Sequence, residues 1–298
     1  MANLLDIRRR IKSVKNTQQI TKAMKMVSAA KLRRAQERVT SARPFAVKMS
    51  EVLTELASHT DENFHHPLLD ARGDGRYLLV LITADKGLAG AFNANLIKAA
   101  QSFMRNHAGK SVELYAVGRK GRDFFRRRPL NIVAENVGLT GKGRVEYAEA
   151  IEVARDVTRR FVEDESIDKV FIAYSEFKSV LSQRAVVEQI LPVSRVEETA
   201  GEDEAADAGR AVTFVDYIYE QPAEELFGQL LPRLIETQVY RALLESVASE
   251  QGARMTAMDS ASKNAAELIS KLTLNMNRVR QANITREIIE IVSGAAAL

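Results

Sequence analysis

Residues 4–39 read LLDIRRRIKSVKNTQQITKAMKMVSAAKLRRAQERV, and the spacing inside this stretch decides the fold. Steps of alternately three and four residues from Leu4 land on Ile7, Ile11 and Val14, then on the polar Gln18, Thr21, Lys25 and Ser28. They continue on Leu32, Ala35, Val39, Ala42, Ala46, Met49, Leu53 and Leu56. A repeat averaging 3.5 residues is the stripe of a helix that pairs with another helix. A slip of about one residue, to Ile20, Met24 and Val27, would fill the polar gap with apolar side chains and is expected here, because an α-helix drifts against a strict heptad. No proline or glycine interrupts residues 1–43. Pro44 then predicts a kink or a break.

The far end of the chain repeats the pattern. Met255, Met258, Ser262, Ala265, Ile269, Leu272, Met276 and Val279 share one seam, followed by Ile284, Ile288 and Ile291. Pro222 suits the first turn of a helix, and Pro232, ten residues on, is expected to bend it. Each stripe is too narrow to be stable alone in water, so the two are expected to pair. With a domain between them in the chain, they return antiparallel. About 65 residues of helix extend about 95 Å, more than a compact domain of this size needs, so the pair is expected to protrude.

Between the ends, strand and helix signals alternate. Tyr77–Thr83 is a continuous apolar run suited to a buried parallel strand. A glycine-bearing turn with Asp85, Lys86, Gly87 and Gly90 follows, then a helix from about Asn93. Further strands are read at Val112–Val117, Asn131–Ala134, Lys169–Tyr174 and Ala185–Leu191, with helices near Arg119–Arg127 and Glu146–Asp164. The fold class is therefore α/β: a long antiparallel two-helix coiled coil from the N- and C-terminal segments, plus a small Rossmann-like domain. The boundaries expected are 1–58 for the first coil helix, 76–195 for the α/β domain, 196–211 for an acidic loop (Glu197, Glu198, Glu202, Asp203, Glu204, Asp207), and 222–292 for the second coil helix.

Composition narrows the function. The 298 residues include no cysteine, which excludes disulfides, thiol nucleophiles and thiolate metal sites. The four histidines are His59, His65, His66 and His107, and the adjacent pair His65-His66 sits in a polar stretch without metal-ligand spacing. There is no run of 18 apolar residues and no signal peptide, so membrane contact is expected only through a partner. The net charge of +4 is unevenly spread: residues 1–58 hold 13 lysines and arginines against four acids, a net of +9. Such a basic helix needs an acidic neighbour, which could be a nucleic acid, lipid headgroups or a carboxylate-rich protein. No aromatic residue precedes Phe45, so base stacking is unavailable.

The phosphate-binding motifs fail. Gly87-Leu-Ala-Gly90 lacks the third glycine of a dinucleotide fingerprint, and Lys110 and Ser111 stand where its acidic residue should be. In Gly138-Leu-Thr-Gly-Lys142-Gly143-Arg144, Asn136 takes the place of the first P-loop glycine and Gly143 that of the Mg²⁺-binding hydroxyl, so a flexible turn is the reading. No catalytic residue, cofactor or metal is expected.

Four segments resemble the γ subunits of F-type ATP synthases: Ile11–Lys31, Thr83–Gly90, Ser249–Met258 and Arg280–Gly294, in the family's order. The resemblance implies a non-catalytic rotor whose paired end helices insert into a ring of α and β subunits. Its central domain would form a foot held with ε on the membrane c-ring, and proton or sodium flow would turn the assembly. It implies contacts to β at Met24, Lys25, Arg254, Gln281 and Thr285, and a foot near Lys86, Tyr217, Tyr219 and Glu220. Ile284, Ile288, Ile291, Val292 and Ala295–Leu298 would be the slender tip. The implied place is the cytoplasmic face of a bacterial inner membrane. A coiled-coil nucleic-acid-binding or scaffolding protein is the alternative, and a nucleotide enzyme with helical extensions a third.

Overall fold

The computed structural model describes residues 4–58, 64–193 and 222–296. Its elements are α1 (Leu4–Ser58), β1 (Arg76–Ile82), α2 (Phe92–Asn106), β2 (Ser111–Val117), α3 (Arg119–Phe125), β3 (Ile132–Asn136), a 3-10 turn (Thr140–Lys142), α4 (Tyr147–Glu163), β4 (Lys169–Phe177), β5 (Gln183–Leu191) and α5 (Ala223–Ala296). They fall into two units: residues up to Ala30 with those from Arg254 onward, and Lys31–Ala253.

The larger unit holds a five-stranded sheet in the order β3-β2-β1-β4-β5. β1 is buried along almost its whole length because it is central, paired in parallel with both β2 and β4. That position explains its unbroken apolar sequence, since both faces of such a strand are covered. Tyr77, Leu79 and Leu81 pack with Phe92, Leu96, Ala100 and Phe103 of α2 and with Phe125 of α3. Those α2 residues recur every three or four positions, the spacing of one helix face.

Leu78, Val80 and Ile82 point the other way and are equally buried. On α4, Ala150, Val153, Ala154, Val157 and Phe161 form its buried stripe. That helix starts at a capping box, in which the Glu149 carboxylate accepts the Glu146 amide at 3.0 Å. β5 runs antiparallel to β4, so the sheet is mixed.

Within the same unit, α5 is fastened to β4. The Ser175 amide donates to Ser246 Oγ at 3.1 Å, and Ser249 Oγ donates to the Ser175 carbonyl at 3.0 Å. Nearby, Arg241 donates to the Tyr174 hydroxyl at 3.0 Å, and that hydroxyl donates to Glu188 at 2.9 Å. Leu32, Ala35, Val39, Leu53 and Leu56 of α1 are buried in this unit, as are Leu231, Ile235, Val239 and Leu243 of α5.

The smaller unit is the pair of helix ends. Lys25 of α1 meets Asp259 of α5 at 2.6 Å. Since everything up to Ala30 groups with the residues from Arg254 onward, the helices run away from this contact antiparallel. A parallel pair would set the start of α1 against residues near 235, which belong to the other unit.

Two expectations are corrected. The break allowed at Pro44 is absent, since α1 runs through it, and α5 likewise continues past Pro232. Both prolines lie on exposed positions, where water can satisfy the carbonyl that each deprives of its helical donor. The expected slip to Ile20, Met24 and Val27 does not occur either. Ile20 is 60% and Val27 56% exposed, whereas Thr21 is 8% and Ser28 2% exposed. The strict heptad continues through its polar members, as the next section describes. The acidic stretch 197–207 lies outside the described residues.

Candidate functional site

The paired ends are the chemically distinctive part of the chain. Along α1 the less exposed positions include Leu4, Ile7, Ile11, Val14, Gln18, Thr21, Lys25 and Ser28, a spacing of seven residues over four repeats, with Met24 and Ala29 flanking them. Thr21 can be buried because its hydroxyl donates back to the Gln18 carbonyl at 3.0 Å. Along α5, Met258 and Ala265 are buried, and Met255, Ser262, Ile269, Leu272, Met276 and Val279 are half-buried. Neither helix brings an aromatic ring to the seam.

Lys25 and Asp259 carry an ion pair across the seam, with 43% and 31% of their side chains exposed. Asp259 also accepts from Lys263 at 2.8 Å on its own helix. Hydrogen bonds from Lys25 and then from Lys263 hold the Asp259 carboxyl down at about 2. Sequence reasoning placed Lys25 but missed Asp259. The only signal for it is that it directly follows a seam residue, Met258, a position from which a short acid can reach a partner helix.

The other candidates fall as follows. Met24 is half-buried beside Lys25, and Arg254 is 9% exposed. Gln281 and Thr285 are exposed, and the Thr285 hydroxyl donates back to the Gln281 carbonyl at 2.9 Å. Carrying the register outward from Lys25 and Asp259 sets Leu4, the first described residue of α1, opposite Arg280. Every residue from Arg280 to Ser293 is exposed, including Ile284, Ile288, Ile289, Ile291 and Val292. Lys86 is exposed in the turn after β1. Tyr217, Tyr219 and Glu220 lie outside the described residues.

Among the described residues, no group of His, Asp and Glu side chains could hold a metal ion. His66 Nδ1 instead accepts the Leu68 amide at 3.2 Å, and His65 lies 3.4 Å from Asp70. The turn at Gly138–Arg144, expected to be flexible, is ordered: Asp85 holds it through the amides of Gly138 and Gly141.

Two terminal helices that pair antiparallel along a heptad seam, with a Rossmann-like sheet between them in chain order, define a coiled-coil stalk protein. The family model of ATP synthase matches residues 3–298. The ATP synthase gamma chain of Solibacter usitatus (strain Ellin6076) is 52% identical over 300 residues, covering all of this chain and 99% of the relative. That of Desulforamulus reducens is 51% identical over the whole of both chains. The chain belongs to the ATP synthase gamma chain family.

Among solved structures, a chain of the Tetrahymena thermophila mitochondrial ATP synthase central stalk and c-ring is 27% identical, with a TM-score of 0.62. The match covers 82% of this chain and 99% of that one. A chain of the Euglena gracilis mitochondrial ATP synthase shares the fold over 99% of this chain and 94% of its own, at 18% identity and a TM-score of 0.66. The protein is thus a central-stalk subunit of an ATP synthase and not its catalytic subunit. Nothing in these likenesses favours nucleic-acid binding. No described helix is long and apolar enough to cross a membrane.

Proposed function

We propose that the paired ends turn inside a ring of α and β subunits, while the α/β unit stands with ε on the c-ring at the cytoplasmic face of a bacterial inner membrane. Proton flow through the ring turns the chain, and the turning drives the β sites between states of different nucleotide affinity. The observation that carries this reading is the run of exposed residues from Arg280, which leaves Gln281, Thr285 and five large aliphatic side chains available to neighbours. Met24, Lys25 and Arg254 contact β near the inner end of the pair, Lys25 by exchanging Asp259 for a β carboxylate or sharing itself between them. Lys86, Tyr217, Tyr219 and Glu220 belong to the foot. The boundaries 1–58, 76–195, 196–211 and 222–292 separate these tasks.

The absence of cysteine makes the test direct, because a single introduced thiol is the only one in the chain. Cysteine at Gln281 or Thr285, carrying a photoactivatable cross-linker in the assembled synthase, is expected to capture α or β. Cysteine at Lys86 is expected to capture ε or the c-ring subunit. Capture of ε from Thr285, or of neither α nor β from both outer positions, would refute the arrangement.

A further inference from the structure

Outside the carboxyl ends of β1, β2 and β3, the three turns that follow close on one side chain, Asp85, which is 8% exposed. Its Oδ1 accepts the amides of Gly138 at 2.9 Å and Arg119 at 3.1 Å. Its Oδ2 accepts the amide of Gly141 at 2.7 Å and the hydroxyl of Thr140 at 3.0 Å. That hydroxyl also lies 3.2 Å from the Thr83 carbonyl and accepts the Asp85 amide at 3.1 Å. Each carboxylate oxygen therefore has two donors, and three of the four are main-chain amides. Burial pushes the Asp85 carboxyl up, but these donors outweigh it and hold the group below the usual carboxylate range.

The glycines around it share one purpose. Gly138 adopts a φ of +93°, which turns its amide inward, and a Cβ on Gly141 would stand 3.1 Å from Asp85 Oδ2. A Cβ on Gly118, at φ +90°, would collide with the Thr83 carbonyl oxygen. Glycines that let several amides converge on one point are how loops of α/β proteins hold phosphate oxygens. The location agrees. Open α/β sheets take ligands outside the carboxyl ends of their parallel strands, where the strand order reverses. Here Asp85 and its donors stand outside the carboxyl ends of β1, β2 and β3, on one side of the reversal between β1 and β4.

We propose that this is an anion site which the chain fills with its own Asp85, so that the α/β unit is closed to phosphate-bearing ligands. Removing the carboxylate opens the site to a small oxyanion, either a free carboxylate or inorganic phosphate. A subunit of a machine that makes or consumes ATP is thereby kept indifferent to the nucleotide and phosphate around it. The glycine-rich turns also stay fixed without a ligand.

The test compares full-length wild type with Asp85→Ala in formate, phosphate and chloride at equal ionic strength. In chloride the variant is expected to unfold several degrees below wild type. Formate or phosphate is expected to restore part of that loss, beyond any shift the same salts cause in wild type by general exclusion. The amide resonances of Gly138 and Gly141 should move with formate in the variant alone. If the variant does not fold in chloride, refolding yield in each salt is the readout, and a higher yield in either oxyanion supports the site. Equal stability of variant and wild type, or an identical response to all three anions, would overturn the proposal. So would phosphate-induced shifts of the Gly138 and Gly141 amides in wild type.

Discussion

The ion pair of Lys25 with Asp259 shows how a half-exposed contact can be specific without contributing much to stability. Surface pairs are screened and cost side-chain freedom. What this one does is fix which residues face each other. Asp259 is held down by its two lysines, so its contribution to folding is present above the ordinary carboxylate value near 4 and is lost as pH falls through about 2. Lys25→Met removes the first of those partners and leaves Lys263. The Asp259 carboxyl is expected to rise toward its ordinary value, read from its carbon chemical shift on acid titration. An unchanged titration would mean that the two side chains do not meet in solution. Its place after Met258 was the only mark of Asp259 in the amino-acid order, and a weak one, because a residue that flanks a seam looks like any other solvent-facing acid until the partner helix is in place.

On the scale of the helices, the period was legible and its filling was not. A hydrophobicity ranking prefers Ile20 and Val27 to Thr21 and Ser28, and so displaces the stripe. The fold keeps the seven-residue step because small hydroxyl side chains allow close approach, and that of Thr21 is satisfied on its own helix. The register itself gives a prediction. Ile20→Ser and Val27→Ser should change unfolding stability by no more than about 0.5 kcal/mol, since both side chains are already in water. Ser28→Asp should cost several kcal/mol, on the order of 3, by placing a charge where there is no room for its hydration. Chemical denaturation of the three variants decides between the two stripes. The sheet was easier to read, since β1 betrays its central place by having no polar alternation. The antiparallel direction of β5 was also open to inference, because the ten residues 175–184 between the two strands read from the sequence are fewer than a parallel crossover needs.

For the whole molecule, the match of both termini and the middle to one family left little to choose between rival functions. What patterns could not supply was the carboxylate cradle at Asp85, whose members lie in three turns from residue 85 to residue 141. The prediction at this scale concerns assembly. Ile269→Asp and Leu272→Asp each place a charge in the half-buried seam of α5 and should weaken the pairing by several kcal/mol, on the order of 2 to 4. The α/β unit should still fold, whereas a synthase built with either variant should fail to assemble or should hydrolyse ATP without pumping ions. Normal coupling in both would show that the pair need not be closed to transmit work. The strict seven-residue seam has one more consequence. It imposes a left-handed wind on the two strands, and a wound rope resists torque unequally: load in one sense tightens its coils, load in the other loosens them. A single molecule held at one end and twisted should therefore feel stiffer in one direction of rotation than in the reverse.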